Sequence, residues 1–110
     1  MNNKPIQQMA LLILFQAQQD QASELVIASS LAADSPVRCK VGNAWHDFAP
    51  PPAHIMPNLV AELGRLASLP DGPFPKEGII NVPFAGVQLS WKLRMASAES
   101  CELTPHAAGN

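Results

Sequence analysis

Val87, Leu89, Trp91, Leu93 and Met95 alternate with Gln88, Ser90, Lys92 and Arg94. A period of two is the mark of an antiparallel strand with one dry and one wet side. A shorter run repeats the pattern, with Val37, Cys39 and Val41 set against Arg38 and Lys40. Each run is one arm of a hairpin. Gly42-Asn43, two residues that tolerate positive φ, turns the first arm into a return strand from Trp45 to Phe48. A turn at Ala85-Gly86 joins Ile79–Phe84 to the longer strand. Pro50 to Pro52 ends the first hairpin, because proline has no N–H to give to a ladder.

Elsewhere the apolar spacing is helical. Pro5 suits the first turn of a helix, where its missing N–H is not needed. Ile6, Met9, Ala10, Ile13 and Ala17 then form a stripe. Leu11, Leu12, Leu14 and Phe15 widen that stripe to nearly the whole circumference, so the helix must be covered on more than one side. Leu11, Leu12 and Phe15 are therefore candidates for an apolar interface. The glutamine-rich stretch from Gln16 to Gln21 reads as a solvated helix end. A second helix starts at Pro57, with Leu59, Val60, Leu63, Leu66 and Ala67 on its apolar side, and Pro70 stops it. Gly64 weakens its interior by about 1 kcal/mol relative to alanine, which suits a site of close packing.

Ala22 to Ala28, apolar on both faces at its middle, reads as an interior strand. Ser29 to Ser35 reads as a loop, Asp71-Gly72-Pro73 as a turn, and Ser100 to Thr104 as a last strand. The predicted order is α-β-β-β-α-β-β-β. It implies an α+β domain with a single antiparallel sheet of five to six strands and two helices on its dry face. Residues 1–104 make one domain and 105–110 a tail.

Composition fits that picture. The 110 residues, 47% hydrophobic and 15% charged, suffice for one core without metals or disulfides. A formal net charge of −2 gives no electrostatic reason to expect nucleic acid. Cys39 and Cys101, both beside aliphatic residues, read as buried thiols, and scattered histidines without a CxxC argue against zinc. The apolar run Met9 to Phe15 is too short to span a bilayer and lacks a cleavage site, so the expected location is cytoplasmic.

Catalytic chemistry is hard to find. None of the four lysines (Lys4, Lys40, Lys76, Lys92) follows a glycine, so the chain has no G-x-x-x-x-G-K-[ST] loop to cradle phosphates. His46 and Asp47, adjacent on a strand, point to opposite faces and cannot pair at one site, and His54 reads as a loop residue. No G-x-S-x-G elbow or recognisable Cys-His spacing occurs, and no cofactor is implied. One constellation remains. Arg38 and Lys40 lie on the wet side of one strand, Lys92 and Arg94 on that of another. If the strands share a sheet, four of the seven basic residues share a face. Such a face either binds an anion or acidic partner, or is an ordinary solvated surface.

Three segments carry a resemblance. The N-terminal region of bacterial secretion ATPases, of the type II secretion and type IV pilus class, has a stretch like V-R-x-R-x-D-G-x-x-H-E followed by a proline-rich turn into a helix. Val37, Arg38, Lys40, Val41, His46, Asp47 and Pro50 to Pro52 fall at matching or near-matching places. The family's A-S-D-I-H-x-E-P strand is similar to this chain at Ala22 and Ser23, with Glu24 for the Asp, Val26 for the His and Ser29 for the Glu. Its R-L-P-Q-D-G-R motif has a counterpart in Pro73 to Ile79, where proline and glycine are present and both arginines are absent.

The resemblance covers Met9 to Leu103 and implies the PAS-like N-terminal domain of those enzymes, standing without the ATPase. In that family the domain packs on a neighbouring subunit's motor domain and its arginines approach the nucleotide. Arg38 and Arg94 match family arginines, and Lys40 is a conservative replacement. The arginines missing from Pro73 to Ile79 weaken any role in nucleotide contact. The function implied is a non-catalytic interaction module for a secretion or pilus ATPase, another assembly component, or a second copy. The alternative is a PAS-like small-molecule sensor, which would want a polar group within the dry face, where mostly aliphatics, Trp45, Trp91 and Phe48 stand.

Overall fold

Helix α1, Lys4–Gln19, begins with Pro5 in its first turn, and α2, Met56–Leu66, begins with Pro57 there. Both end in the same way. After α1, Ala22 N–H donates to the Ala17 carbonyl at 2.9 Å and Gln21 N–H to the Gln18 carbonyl at 3.1 Å. After α2, Leu69 N–H donates to Gly64 at 3.1 Å and Ser68 N–H to Arg65 at 3.0 Å. This is the Schellman pairing, which needs one left-handed residue. Gln21 (φ 57°) and Ser68 (φ 54°) supply it where glycine is usual. So α2 stops at Leu66, ahead of Pro70, because its chain has already turned.

The computed structural model describes residues 4–28, 37–47, 55–70, 72–97 and 100–106. The predicted loop at 29–35, Phe48, the prolines at 50–52, His54 and Asp71 lie outside them. The described residues form the expected order, with β1 Glu24–Ala28, β2 Val37–Val41, β3 Ala44–Asp47, β4 Lys76–Phe84, β5 Val87–Ser97 and β6 Ser100–Pro105. They make one antiparallel sheet in the order β3-β2-β1-β6-β5-β4. The apolar run of β1 is indeed interior, between β2 and β6. Strand β4 starts at Lys76, earlier than the expected Ile79, since at the sheet edge Lys76, Glu77 and Gly78 need satisfy only one neighbour.

The helices lie on the dry face. Leu89, Trp91, Leu93 and Met95 of β5 are buried there with Leu25 and Ile27 of β1 and Leu103 of β6. The helices contribute Leu14, Leu59, Val60 and Leu63. The buried side of α1 is Ala10, Leu14 and Ala17, with Ile6, Met9 and Ile13 only half-buried. The glycine in α2 lies at a close approach: a Cβ on Gly64 would meet Met95 Cε at 3.1 Å, so the methionine would have to shift. Gly78 is tighter still, since a Cβ there would lie 2.8 Å from the Ala67 carbonyl oxygen. The end of α2 thus sits directly on β4.

Candidate functional site

The two hairpins carry the four basic residues, and strand register places them. Arg38 pairs with Val26, Val26 with Glu102, Glu102 with Arg94, and Arg94 with Glu77. Arg38, Lys40, Lys92 and Arg94 therefore emerge on the face opposite the helices. They do not make one cationic patch. The β2 pair and the β5 pair are three strand spacings apart, about 14 Å, and Glu24, Asp47, Glu77 and Glu102 share the face with them. Each hairpin pairs one of its cations within itself, and Glu24 of β1 and Glu102 of β6 stand opposite Lys40 and Arg94. Arg38 Nε donates to Asp47 Oδ1 at 3.1 Å and lies 5.4 Å from the centre of the Trp45 ring. Lys92 Nζ is 3.5 Å from Glu77 Oε1. Four cations against four carboxylates make a mixed, solvated surface in place of the expected basic one. Exposed pairs of this kind contribute about 0–1 kcal/mol each.

The helix-bearing face is less complete. Helix α1 packs toward β5, and α2 toward β1, β4 and β5. Two helices of about 10 Å side by side cover about 20 Å, whereas six strands spread about 24 Å between their outermost axes. Val37 and Cys39 of β2 are fully buried, while Val41 and the edge strand β3 stay partly open. Between the β2–β3 hairpin and α1 runs an open groove of about 780 Å³. Met9, Leu12 and Ile13 of α1 form one wall, Cys39 and Val41 of β2 the floor, and Gln16, Asp20, His46 and Asp47 the polar margin.

Of the candidate apolar interface, Leu12 is the residue offered to solvent, 54% exposed. Leu11 and Phe15 are half-buried against the core, Phe15 meeting Phe84 edge-to-face at 5.8 Å. Met9, Ile13 and Val41 were not foreseen as groove residues. Their signal was the all-round apolarity of α1 together with the shortage of helices to cover six strands.

Reactive groups are quiet. Cys39 and Cys101 are both buried and free. Burial pushes the Cys39 thiol up, with the Asp20 charge adding to it, and burial chiefly, then Glu102, pushes Cys101 up to about 12. Both stay protonated near neutral pH and make poor nucleophiles. Glu62, 4% exposed, is the buried acid among the described residues. Its carboxylate takes a forked contact from Arg65, with Nε at 2.9 Å and 3.1 Å, so it is engaged in an ion pair within its own helix. His46 and Asp47 are exposed, and Asp47 is engaged by Arg38. Among the described residues no group of three or more His, Cys, Asp or Glu is placed to hold a metal ion. No helix among them is long and apolar enough to cross a membrane.

A second, smaller cavity of about 510 Å³ lies where β6 ends, lined by Gln18, Gln21, Ser90, Trp91 and His106 among others. Trp91 is 1% exposed and its indole N–H has no hydrogen-bond partner. Compared with known proteins, the chain matches no family model and no curated sequence.

Proposed function

We propose that this chain is a non-catalytic protein-interaction module, akin to the PAS-like N-terminal domain of secretion and pilus ATPases, working in the cytoplasm. It docks to such an ATPase, to another assembly component or to a second copy. The observation that carries the reading is the uncovered strip beside α1, where Leu12, Met9, Ile13 and Val41 face a groove that no element of the described fold fills. Contiguous exposed apolar surface marks interaction sites. The α-β-β-β-α-β-β-β order and the matches at Val37, Arg38, Val41 and His46 support the kinship. The absence of a phosphate loop from the sequence supports the non-catalytic part.

Leu12→Glu tests the reading. A docking residue serves the partner and not the core, so the variant keeps its unfolding free energy within about 1 kcal/mol while losing native-state binding of an apolar dye. A loss of about 2 kcal/mol or more would place Leu12 in the core and end the proposal. Magnesium-dependent ATP turnover abolished by a substitution in this chain would end its non-catalytic half.

The second reading, a small-molecule sensor, is favoured by one observation. Trp91 lines the smaller cavity, and its buried indole N–H has no hydrogen-bond partner. A hydrogen-bonding ligand there would move the Trp91 indole N–H resonance, and Trp91→Phe would abolish binding without unfolding the chain.

A further inference from the structure

We infer that the free edge of β4 pairs with the same edge of a second copy, antiparallel and centred on Ile79, so that two sheets join into one. The inference goes beyond the docking role proposed for the groove, and depends on neither Leu12 nor Trp91.

The phase of the ladder fixes which groups the edge offers. Gln88 and Ser90 spend a carbonyl and an N–H on Gln18, on the side of β5 away from β4. Bonding direction alternates along an antiparallel strand, so Leu89 and Trp91 bond toward β4, to Val82 and Ile80. Glu77, Ile79 and Asn81 therefore aim their backbone groups outward. Strand β4 ends the sheet, and among the described residues none outside β5 forms a backbone hydrogen bond with it. A nine-residue edge in unbroken register is a template for another strand. The opposite edge, β3, is only four residues long.

The pattern along the edge selects a second copy. Pro75 and Pro83 stand four residues to either side of Ile79, in the same outward phase. Neither has an N–H to give. A two-fold axis at Ile79 sets each Ile79 against its counterpart, Glu77 against Asn81, and Pro75 against Pro83, where no donor is wasted. Every outward pair between the prolines then exchanges two backbone hydrogen bonds. Moving the register one step either way sets Pro75 against Asn81 or Pro83 against Glu77, and forfeits donors. A two-fold interface requires this self-complementarity. The side chains agree with it. Ile79 is 39% exposed on a side that it shares with Glu77, Asn81, Lys92 and Arg94, and its counterpart covers it. The Glu77 carboxylate meets the Asn81 amide of the second copy, an acceptor against a donor, and no carboxylate faces its own kind.

Sedimentation of the full chain at rising concentration tests the pairing, with amide exchange read at Glu77, Ile79 and Asn81. A dimer is expected, and those three amides should slow as it forms. Ile79→Lys puts like charges face to face across the axis and should weaken the dimer at least about tenfold. Asn81→Pro removes an outward donor that β5 does not use. It should weaken the dimer about as much while the monomer keeps its fold. Leu12→Glu should leave the dimer intact.

A chain that stays monomeric at high micromolar concentration would overturn the inference, as would a dimer indifferent to Ile79→Lys. If Leu12→Glu dissociates the dimer and the edge variants do not, the second copy sits in the groove. This inference then falls while the docking role stands. Assemblies that grow without limit would also overturn it, because a two-fold pairing uses each β4 edge once.

Discussion

Gln18, in the last turn of α1, accepts the backbone N–H of Ser90 on its side-chain oxygen at 3.3 Å. Its amide nitrogen donates to the Gln88 carbonyl at 3.0 Å. These groups lie on the edge of β5 that β6 leaves bare. The last backbone bond from that side is His106 N–H to the Ser90 carbonyl, at 3.1 Å. One side-chain amide therefore does for β5 what the next strand residue would have done, donating and accepting in the ladder pattern. It also pins the end of α1 to the sheet beside the smaller cavity.

Replacing Gln18 by alanine should destabilise the fold by about 1–2 kcal/mol, the cost of two hydrogen bonds to partly buried backbone groups. Gln18→Glu should recover only part of this, since a carboxylate still accepts from Ser90 but repels the Gln88 carbonyl. Urea unfolding gives the totals, and amide exchange at Ser90 should quicken in both variants. A Gln18→Ala variant as stable as the parent, with Ser90 exchange unchanged, would show that water replaces the side chain at no cost.

How much of this was legible depends on what each pattern encodes. The alternation in Val87 to Met95 maps directly onto a sheet face, and its dry side is buried from Leu89 to Met95. The stripe on α1 carried less. With Leu11, Leu12, Leu14 and Phe15 all apolar, the helix had no polar side to fix its phase, so Leu14 took the core and Ile6, Met9 and Ile13 did not. Gln18 looked like part of a solvated end because the partner of a polar side chain is set by tertiary placement. Alternation places the basic residues on the wet side of their strands but says nothing about their neighbours. Glu24, Glu77, Glu102 and Asp47 came between and beside them through strand order and register.

Two positions at the end of α2 and the strand beneath it give predictions of opposite sign. Ser68 closes α2 at φ 54°, where a side chain costs about 1 kcal/mol relative to glycine. Ser68→Gly should therefore stabilise the protein by up to about 1 kcal/mol. Gly78→Ala, ten residues on, should destabilise it by about 1–3 kcal/mol. Its Cβ would meet a backbone oxygen, Ala67 O, at 2.8 Å, and backbone cannot swing aside as a side chain can. Thermal or urea unfolding of both variants checks this. A stabilising Gly78→Ala would mean that the helix end is free to lift from β4.

The two thiols should respond to alkali and not to oxidant. Cys39 and Cys101 sit on strands β2 and β6, which flank β1, with Cys39 opposite Leu25 and Cys101 opposite Ile27. Two strand spacings, about 9.6 Å, exceed the roughly 7 Å that a disulfide can bridge between Cα atoms, so joining them would require removing β1 from between them. Burial raises Cys101 from 9.0 to about 12, so the folded chain holds that proton more tightly than the unfolded chain. The native state then binds more protons between those values, and stability falls as pH rises through the interval. Below about pH 8.5 the contribution is fully present; by pH 12 the loss reaches about 4 kcal/mol at most. Comparing the parent with Cys101→Ala isolates it, because other titrating groups cancel. The parent's advantage near neutral pH should shrink steadily above pH 9. A difference that stays flat to pH 11, or native thiols that react with Ellman's reagent at pH 8 as fast as denatured ones, would show that Cys101 is not sealed in the core.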